Sequence, residues 1–170
     1  TESDERAVEN LAKETGLSYS GARILFLRGI NSADGVRDFL NPSKANFNDP
    51  HGLKGIDAAI ERLKKARDNN ETVVVYGDYD ADGICAATVM VKSLKIFGIN
   101  ASAVVPEREN GYGLSVEVID EVVETYLPDL IVTVDCGISG VKEVEYLKDL
   151  GVDVIITDHH EIPDVTPDAI

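Results

Sequence analysis

Four short runs of apolar, largely β-branched residues punctuate the second half of the chain: Thr72–Tyr76, Ala101–Val105, Leu130–Val134 and Asp153–Thr157. Each run is continuous rather than alternating, and segments of helical period separate them. Such runs are strands buried on both faces, and their alternation with helices predicts βαβ units in a parallel sheet. Helices are expected from about Gly83 to Phe97, closed by Gly98, and from a Ser115 cap to Tyr126, before Pro128. A third is expected from a Ser139 cap to Gly151. Upstream the pattern is irregular. Residues 4–14, 20–28 and Ser32–Leu40 carry helical spacing, and Asn41-Pro42 stops the last of these. A further helix, Ile56 to Asn69, places Ile56, Ala59, Ile60, Leu63 and Ala66 on one stripe. The expected organisation is a small helical region, residues 1–54, followed by residues 55–170 folded as a Rossmann-like, doubly wound parallel α/β sheet.

Polar residues cluster just after three of the four strands. Gly77-Asp78-Tyr79-Asp80-Ala81-Asp82-Gly83 follows the first, Asp135-Cys136-Gly137 the third, and Asp158-His159-His160 the fourth. A strand order of 2-1-3-4 sets strand one beside three and three beside four, so these clusters converge on one crevice. Ligands of open α/β sheets bind there, outside the carboxyl ends of the strands where strand order reverses.

Three aspartates at alternate positions of an extended loop point to one side, and together they need a cation. The string Asp-x-Asp-x-Asp-Gly also opens an EF-hand calcium loop, but the bidentate Glu required at its twelfth position is Val89. The preceding segment is moreover a strand, not a helix. Hard carboxylate oxygens combined with imidazole suit Mn²⁺ well, and Mg²⁺ or Zn²⁺ less well. So many ligands fit two ions about 3.5–4 Å apart, which clamp the attacking and leaving oxygens of a phosphoryl substrate. No serine or cysteine pairs with a base, so activated water is the expected nucleophile.

Composition complicates this picture. The chain is 44% hydrophobic, enough for a sizeable core, but its net charge of −15 repels polyanions. The one dense basic run is Arg62, Lys64, Lys65 and Arg67. The two cysteines make no disulfide framework, which points to a cytoplasmic setting, and no apolar stretch approaches the ~18 residues of a membrane span.

The Gly-Asp-Tyr-Asp-Ala-Asp-Gly, Val-Asp-Cys-Gly and Thr-Asp-His-His runs resemble the first, third and name-giving motifs of the DHH phosphoesterases. Pro106 to Leu114 resembles the second motif as the RecJ branch of that family writes it. Leu27-Arg28-Gly29-Ile30 and Phe39-Leu40-Asn41-Pro42 are similar to the amino-terminal region of that branch. The resemblance implies that Asp80 and Asp82 bind one metal each, that Asp135 bridges both, and that His159 ligates the second. It implies further that Asp78 completes the first shell and that His160 lies by the phosphate and acts in catalysis. Arg108 is a candidate phosphate contact. Many members place a histidine where this chain has Tyr76, and Asp78 is the expected substitute. The implied activity is Mn²⁺- or Mg²⁺-dependent hydrolysis from the 5′ end of single-stranded DNA, with DNA repair or replication proteins as partners.

The family's fourth motif, its DHHA1 domain and a nucleic-acid-binding module have no counterpart in these residues. The expectation is therefore a truncated chain that holds one ion or none, where the complete enzyme holds two, and that is weakly active or inactive alone. Two other readings remain open within the resemblance: a phosphoesterase of short oligonucleotides, cyclic dinucleotides or pyrophosphate, and a catalytically silent replisome scaffold. A phospho-receiver domain, which shares the acidic pair, has no use for His159-His160.

Overall fold

The structure is a computed structural model that describes residues 2–43 and 47–170. The chain divides into two compact units, Thr1–Gly52 and Leu53–Ile170. In the first, α1 (Glu2–Thr15), α2 (Tyr19–Leu27) and α3 (Ala33–Leu40) bury a small core of Val8, Leu11, Ala22, Leu25 and Val36. Ser18 and Ser32 cap α2 and α3 by accepting the N–H of Gly21 and of Gly35, which supplies partners for otherwise orphaned donors.

The second unit opens with α4 (Ile56–Asn69) and then alternates strands and helices: β1 (Val73–Gly77), α5 (Ala81–Phe97), β2 (Ala101–Val104), α6 (Val116–Tyr126), β3 (Leu130–Val134), α7 (Val141–Asp149) and β4 (Asp153–Thr157). All strand pairs are parallel, and the order is β2-β1-β3-β4, as the sequence pattern predicts. Successive side chains of β1 point to opposite faces. Val74 and Tyr76 pack with α6 and α7 residues such as Ile119, Val122, Val144 and Leu147. Val73 and Val75 pack with Ala66 of α4 and Ala87 and Leu94 of α5. Both faces of β1 and β3 are therefore covered, which is why these strands read as unbroken apolar runs. The edge strand β2 departs from that expectation and leaves Ser102 and Ala103 exposed. Each fully buried Val, Leu or Ile contributes roughly 1.5–3 kcal/mol.

Two helix starts in the second unit differ from expectation. Helix α5 begins at Ala81 rather than Gly83, because the Asp80 side chain accepts the Gly83 N–H and caps it. Helix α7 begins after Gly140 with no side-chain cap, so Ser139 does not serve as one. The turn closes through the backbone instead, with Gly140 N–H donating to Gly137 O at 2.9 Å.

Of the basic run on α4, Arg62 alone is buried in the fold. Arg62 is 8% exposed. Its Nε donates to Asp153 Oδ2 at 2.6 Å, an Nη2 N–H donates to Asp129 O at 3.2 Å, and Nη1 forms an ion pair with Glu71 at 2.6 Å. Lys64 pairs with Glu61, and Arg67 pairs with Asp68 and lies over the Phe97 ring. Arg62 thus ties α4 to the entrance of the sheet, whereas Lys64 and Lys65 remain exposed.

Candidate metal centre

The site gathers at the carboxyl ends of β1, β3 and β4, where the chain leaves β1 in one direction along the sheet and β3 in the other. Helix α5 presses so closely on the β1 exit that a Cβ at Gly83 would lie 2.4 Å from Asp78 O and 2.6 Å from Asp78 N. That packing turns Asp78 inward. It is 4% exposed, and its Oδ1 has no hydrogen-bond partner. An orphaned carboxylate oxygen is costly in an interior, and a cation is the partner that resolves the cost. Asp80 is exposed at the cap of α5 with one oxygen committed to Gly83 N, and Asp82 is exposed in the helix's first turn. The three aspartates are thus not side by side on an extended loop. Chain geometry has separated one buried carboxylate, one capping carboxylate and one free carboxylate.

Asp135 sits at φ +62°, a left-handed conformation that non-glycine residues adopt at a cost of order 1–3 kcal/mol. Its N–H donates to Thr157 O at 3.0 Å, which docks the β3 exit on β4. There Asp135 Oδ1 lies 2.8 Å from His159 Nε2. Asp158 is the hub of the β4 exit. Its side chain is 2% exposed and accepts from the N–H groups of Ile138, His159 and His160 and from the His160 ring. Burial alone would raise the Asp158 carboxyl, but these hydrogen bonds hold it below the usual carboxylate range. Asp158 in turn raises the His160 imidazole through a 2.7 Å contact to Nδ1.

Among the described residues, Asp135, His159 and His160 each offer a donor atom, and those atoms all lie within 4.8 Å of one another. Asp82 lines the same open cleft as Asp135, Asp158 and His159, about 590 Å³ in volume and walled by Cys85, Ala86, Val89 and Met90 of α5. Asp78 and Asp80 lie outside the three-residue group. Arg108 lies exposed on a short 3₁₀ turn after β2, with its guanidinium 5.2 Å from the centroid of the Tyr79 ring, between Asp78 and Asp80 in sequence. The Tyr76 hydroxyl does not reach toward the carboxylates; it donates to Gly113 O at 3.1 Å.

Sequence reasoning passed over Asp158 and Tyr112 as site residues. Asp158 could have been found, because a carboxylate immediately before a histidine pair is placed to orient it. Tyr112 could have been found only through its place in the Pro106–Leu114 run that resembles the second motif. Cys136 is buried and pushed up to about 12, mainly by burial, so it contributes no thiolate.

An open parallel α/β sheet with carboxylate and imidazole donors at its switch point defines the class of protein. The N-terminal domain of the DHH family matches residues 72–170, and the chain belongs to that family. Single-stranded-DNA-specific exonuclease RecJ of Bacillus subtilis (strain 168) is 37% identical over 98% of this chain and 21% of its own length. The enzyme of that name from Salmonella typhimurium is 45% identical over 69% of this chain and 20% of its own. Among solved structures, RecJ of Thermus thermophilus in complex with Mn²⁺ superposes with a TM-score of 0.68 at 28% identity, covering 96% of this chain and 22% of that one. A second manganese-bound exonuclease RecJ gives a TM-score of 0.64 at 38% identity, over 69% of this chain and 30% of that one. The chain spans about a fifth of the length of these curated relatives.

Proposed function

We propose that the chain carries the metal-binding domain of a phosphodiesterase that removes nucleotides from the 5′ end of single-stranded DNA. Residues 55–170 form the DHH phosphoesterase domain in this reading, and residues 1–54 its helical preface. The observation that carries it is the meeting of Asp135, His159 and His160 at the exits of β3 and β4, with Asp82 across the cleft.

The donor set fits Mn²⁺ or Mg²⁺: hard oxygens, one imidazole, and in Asp78 a buried carboxylate oxygen without a partner. Asp78, Asp80, Asp82, Asp135 and His159 would hold the cations. Cations held there supply Lewis acidity toward a phosphoryl oxygen. Asp135 contributes negative charge on a backbone that has already met the cost of its conformation. His160, oriented by Asp158, holds or delivers a proton beside the phosphate. Arg108 offers a planar pair of N–H donors matched to phosphate oxygens. The Mn²⁺ complexes and single-stranded-DNA specificity named for the relatives support the metal and the substrate. The unpaired Cys85 and Cys136 support a reducing, cytoplasmic compartment, and no helix among the described residues is long and apolar enough to cross a membrane. Single-stranded DNA and proteins of DNA repair or replication are the expected partners.

The test is Mn²⁺ titration combined with a single-turnover assay on 5′- and 3′-labelled single-stranded and duplex oligonucleotides. Weak Mn²⁺ binding and slow, chelator-sensitive release from the 5′ end of single strands are expected. Cleavage of short oligonucleotides, cyclic dinucleotides or pyrophosphate in preference would move the substrate class. Absence of Mn²⁺ binding would favour a silent scaffold. Robust processive degradation by these 170 residues alone would contradict the expectation that they form only part of a groove.

A further inference from the structure

Two tyrosine hydroxyls link the loop between β2 and α6 to the strand exits, one reaching it and one reaching out from it, and the metal-centred reading gives a role to neither. Tyr76 is fully buried on β1, and its hydroxyl donates to Gly113 O at 3.1 Å, which fixes the loop from below. The neighbouring Tyr112 hydroxyl lies 2.8 Å from Nδ1 and 3.2 Å from Nε2 of His160. It also donates to Asp135 O at 3.3 Å. The two rings meet edge to face, with centroids 5.2 Å apart and planes at 68°. Gly111 and Gly113, at φ +86° and +85°, let the loop turn Tyr112 back over the site. A Cβ at either position would meet nothing within 4 Å, so glycine is required there for backbone conformation and not for space.

We propose that Tyr112, braced by Tyr76 through Gly113, is a positioning residue for His160. The physical reason lies in how the imidazole is held. Its side chain is 44% exposed, and Asp158 grips only the Nδ1 corner. A ring held at one corner can still pivot about that contact, and exposed side chains change rotamer on picosecond to nanosecond times. Tyr112 adds a second partner whose hydroxyl reaches Nε2 as well as Nδ1, and it ties the ring to the β3 exit through Asp135 O. Asp158 at the β4 exit and Tyr112 on the loop after β2 touch the ring, and Tyr112 is in turn tied to β1 through Tyr76 and to the β3 exit through Asp135 O. A ring misplaced by an ångström is ineffective in proton transfer, and supporting partners of this kind typically matter by 10–100-fold.

The placement of His160 is independent of the phosphoesterase reading, whereas its effect on turnover rests on that reading. The chain has three histidines, so ring signals can be assigned by single substitutions. The experiment records ¹³C and ¹⁵N relaxation of the imidazoles in metal-free protein for the parent, Tyr112→Phe and Tyr76→Phe, with a urea midpoint for each. Tyr112→Phe keeps the ring contact and removes the hydroxyl. It is expected to shift and mobilise the His160 signals while those of His51 and the unfolding midpoint stay put. Tyr76→Phe is expected to act in the same direction, more weakly. With Mn²⁺ and single-stranded oligonucleotide, Tyr112→Phe should lower kcat about tenfold or more at unchanged KM. Unchanged His160 relaxation in Tyr112→Phe overturns the proposal, as does a lowered midpoint with all three rings disturbed alike. Unchanged His160 relaxation in Tyr76→Phe removes the bracing role. A mobilised His160 ring in a protein that neither binds Mn²⁺ nor hydrolyses DNA would leave the positioning intact and sink the phosphoesterase reading.

Discussion

Asp135 Oδ1 and His159 Nε2 meet at 2.8 Å across the exits of β3 and β4, which pair in register from Leu130 with Asp153 to Val134 with Thr157. The backbone at Asp135 is left-handed at φ +62°, a conformation that asparagine adopts more readily than most residues. Asp135→Asn is therefore a clean probe of charge at constant shape. One neutral oxygen cannot hold two cations against their mutual repulsion. Calorimetric Mn²⁺ titration should show affinity lowered by more than the ~10–100-fold typical of losing a supporting partner, with the unfolding midpoint nearly unchanged. Retention of parental Mn²⁺ affinity would show that Asp135 is not a ligand.

The adjacent histidines are expected to separate in function. His159 is directed at Asp135, whereas His160 is held by Asp158 and Tyr112. His159→Ala should lose metal. His160→Ala should keep most of it and lose turnover by roughly 10²–10⁴, the scale of a group assisting proton transfer or transition-state charge. Metal stoichiometry measured beside rate decides the matter, and equal loss of metal in both variants would make His160 a ligand too.

Gly83→Ala should destabilise the second unit by roughly 1–3 kcal/mol, the ordinary cost of overpacking, because the new methyl group would fall against Asp78 backbone atoms. Asp78 would be displaced with it, so Mn²⁺ affinity should fall as well. Gly52→Ala, where a Cβ meets nothing within 4 Å, is the matched control and should stay within about 0.5 kcal/mol. Urea denaturation of the two variants makes the comparison.

The Arg62–Glu71 pair makes stability depend on acidity. Burial would raise the Glu71 carboxyl, but hydrogen bonds from Asn69 and Arg62 and the Arg62 charge lower it from its ordinary value of 4.5. A lowered folded-state value means that the unfolded chain binds more protons in the window between the two. The contribution is therefore complete above about pH 4.5 and is lost as pH falls through the folded-state value. Arg62→Met should cost about 3 kcal/mol at neutral pH, the lower end for breaking a buried pair, since the Asp153 side chain is 51% exposed. It should also flatten the acid limb of stability against pH, leaving the part due to Asp158. A urea midpoint series from pH 3 to pH 7 tests both expectations, and an acid limb as steep as the parent's would exclude the Arg62–Glu71 pair as its source.

Much of this architecture is a local property of the chain. Four continuous β-branched runs separated by helical spacing leave few ways to bury both faces of each strand, and β3 and β4 run over the residues expected, Leu130–Val134 and Asp153–Thr157. The polar clusters at three strand exits were legible for the same reason: such residues interrupt an apolar pattern at points a parallel sheet brings to one edge. Which donors meet was not legible. Asp78, Asp80 and Asp82 look equivalent in the sequence, and only the close approach of α5 to β1 buries the first, commits the second to a helix cap and leaves the third facing the cleft. Arg62 reads as part of a basic surface, yet it is buried against Asp153 from a strand 91 residues away. Tyr76 and Tyr112 give no local sign that one anchors the loop on which the other reaches His160. Periodicity is set within a few residues of chain, so the sequence carries it directly. The meeting of side chains tens of residues apart depends on backbone angles at a few turns and on helix-to-sheet packing, and only the folded chain determines those.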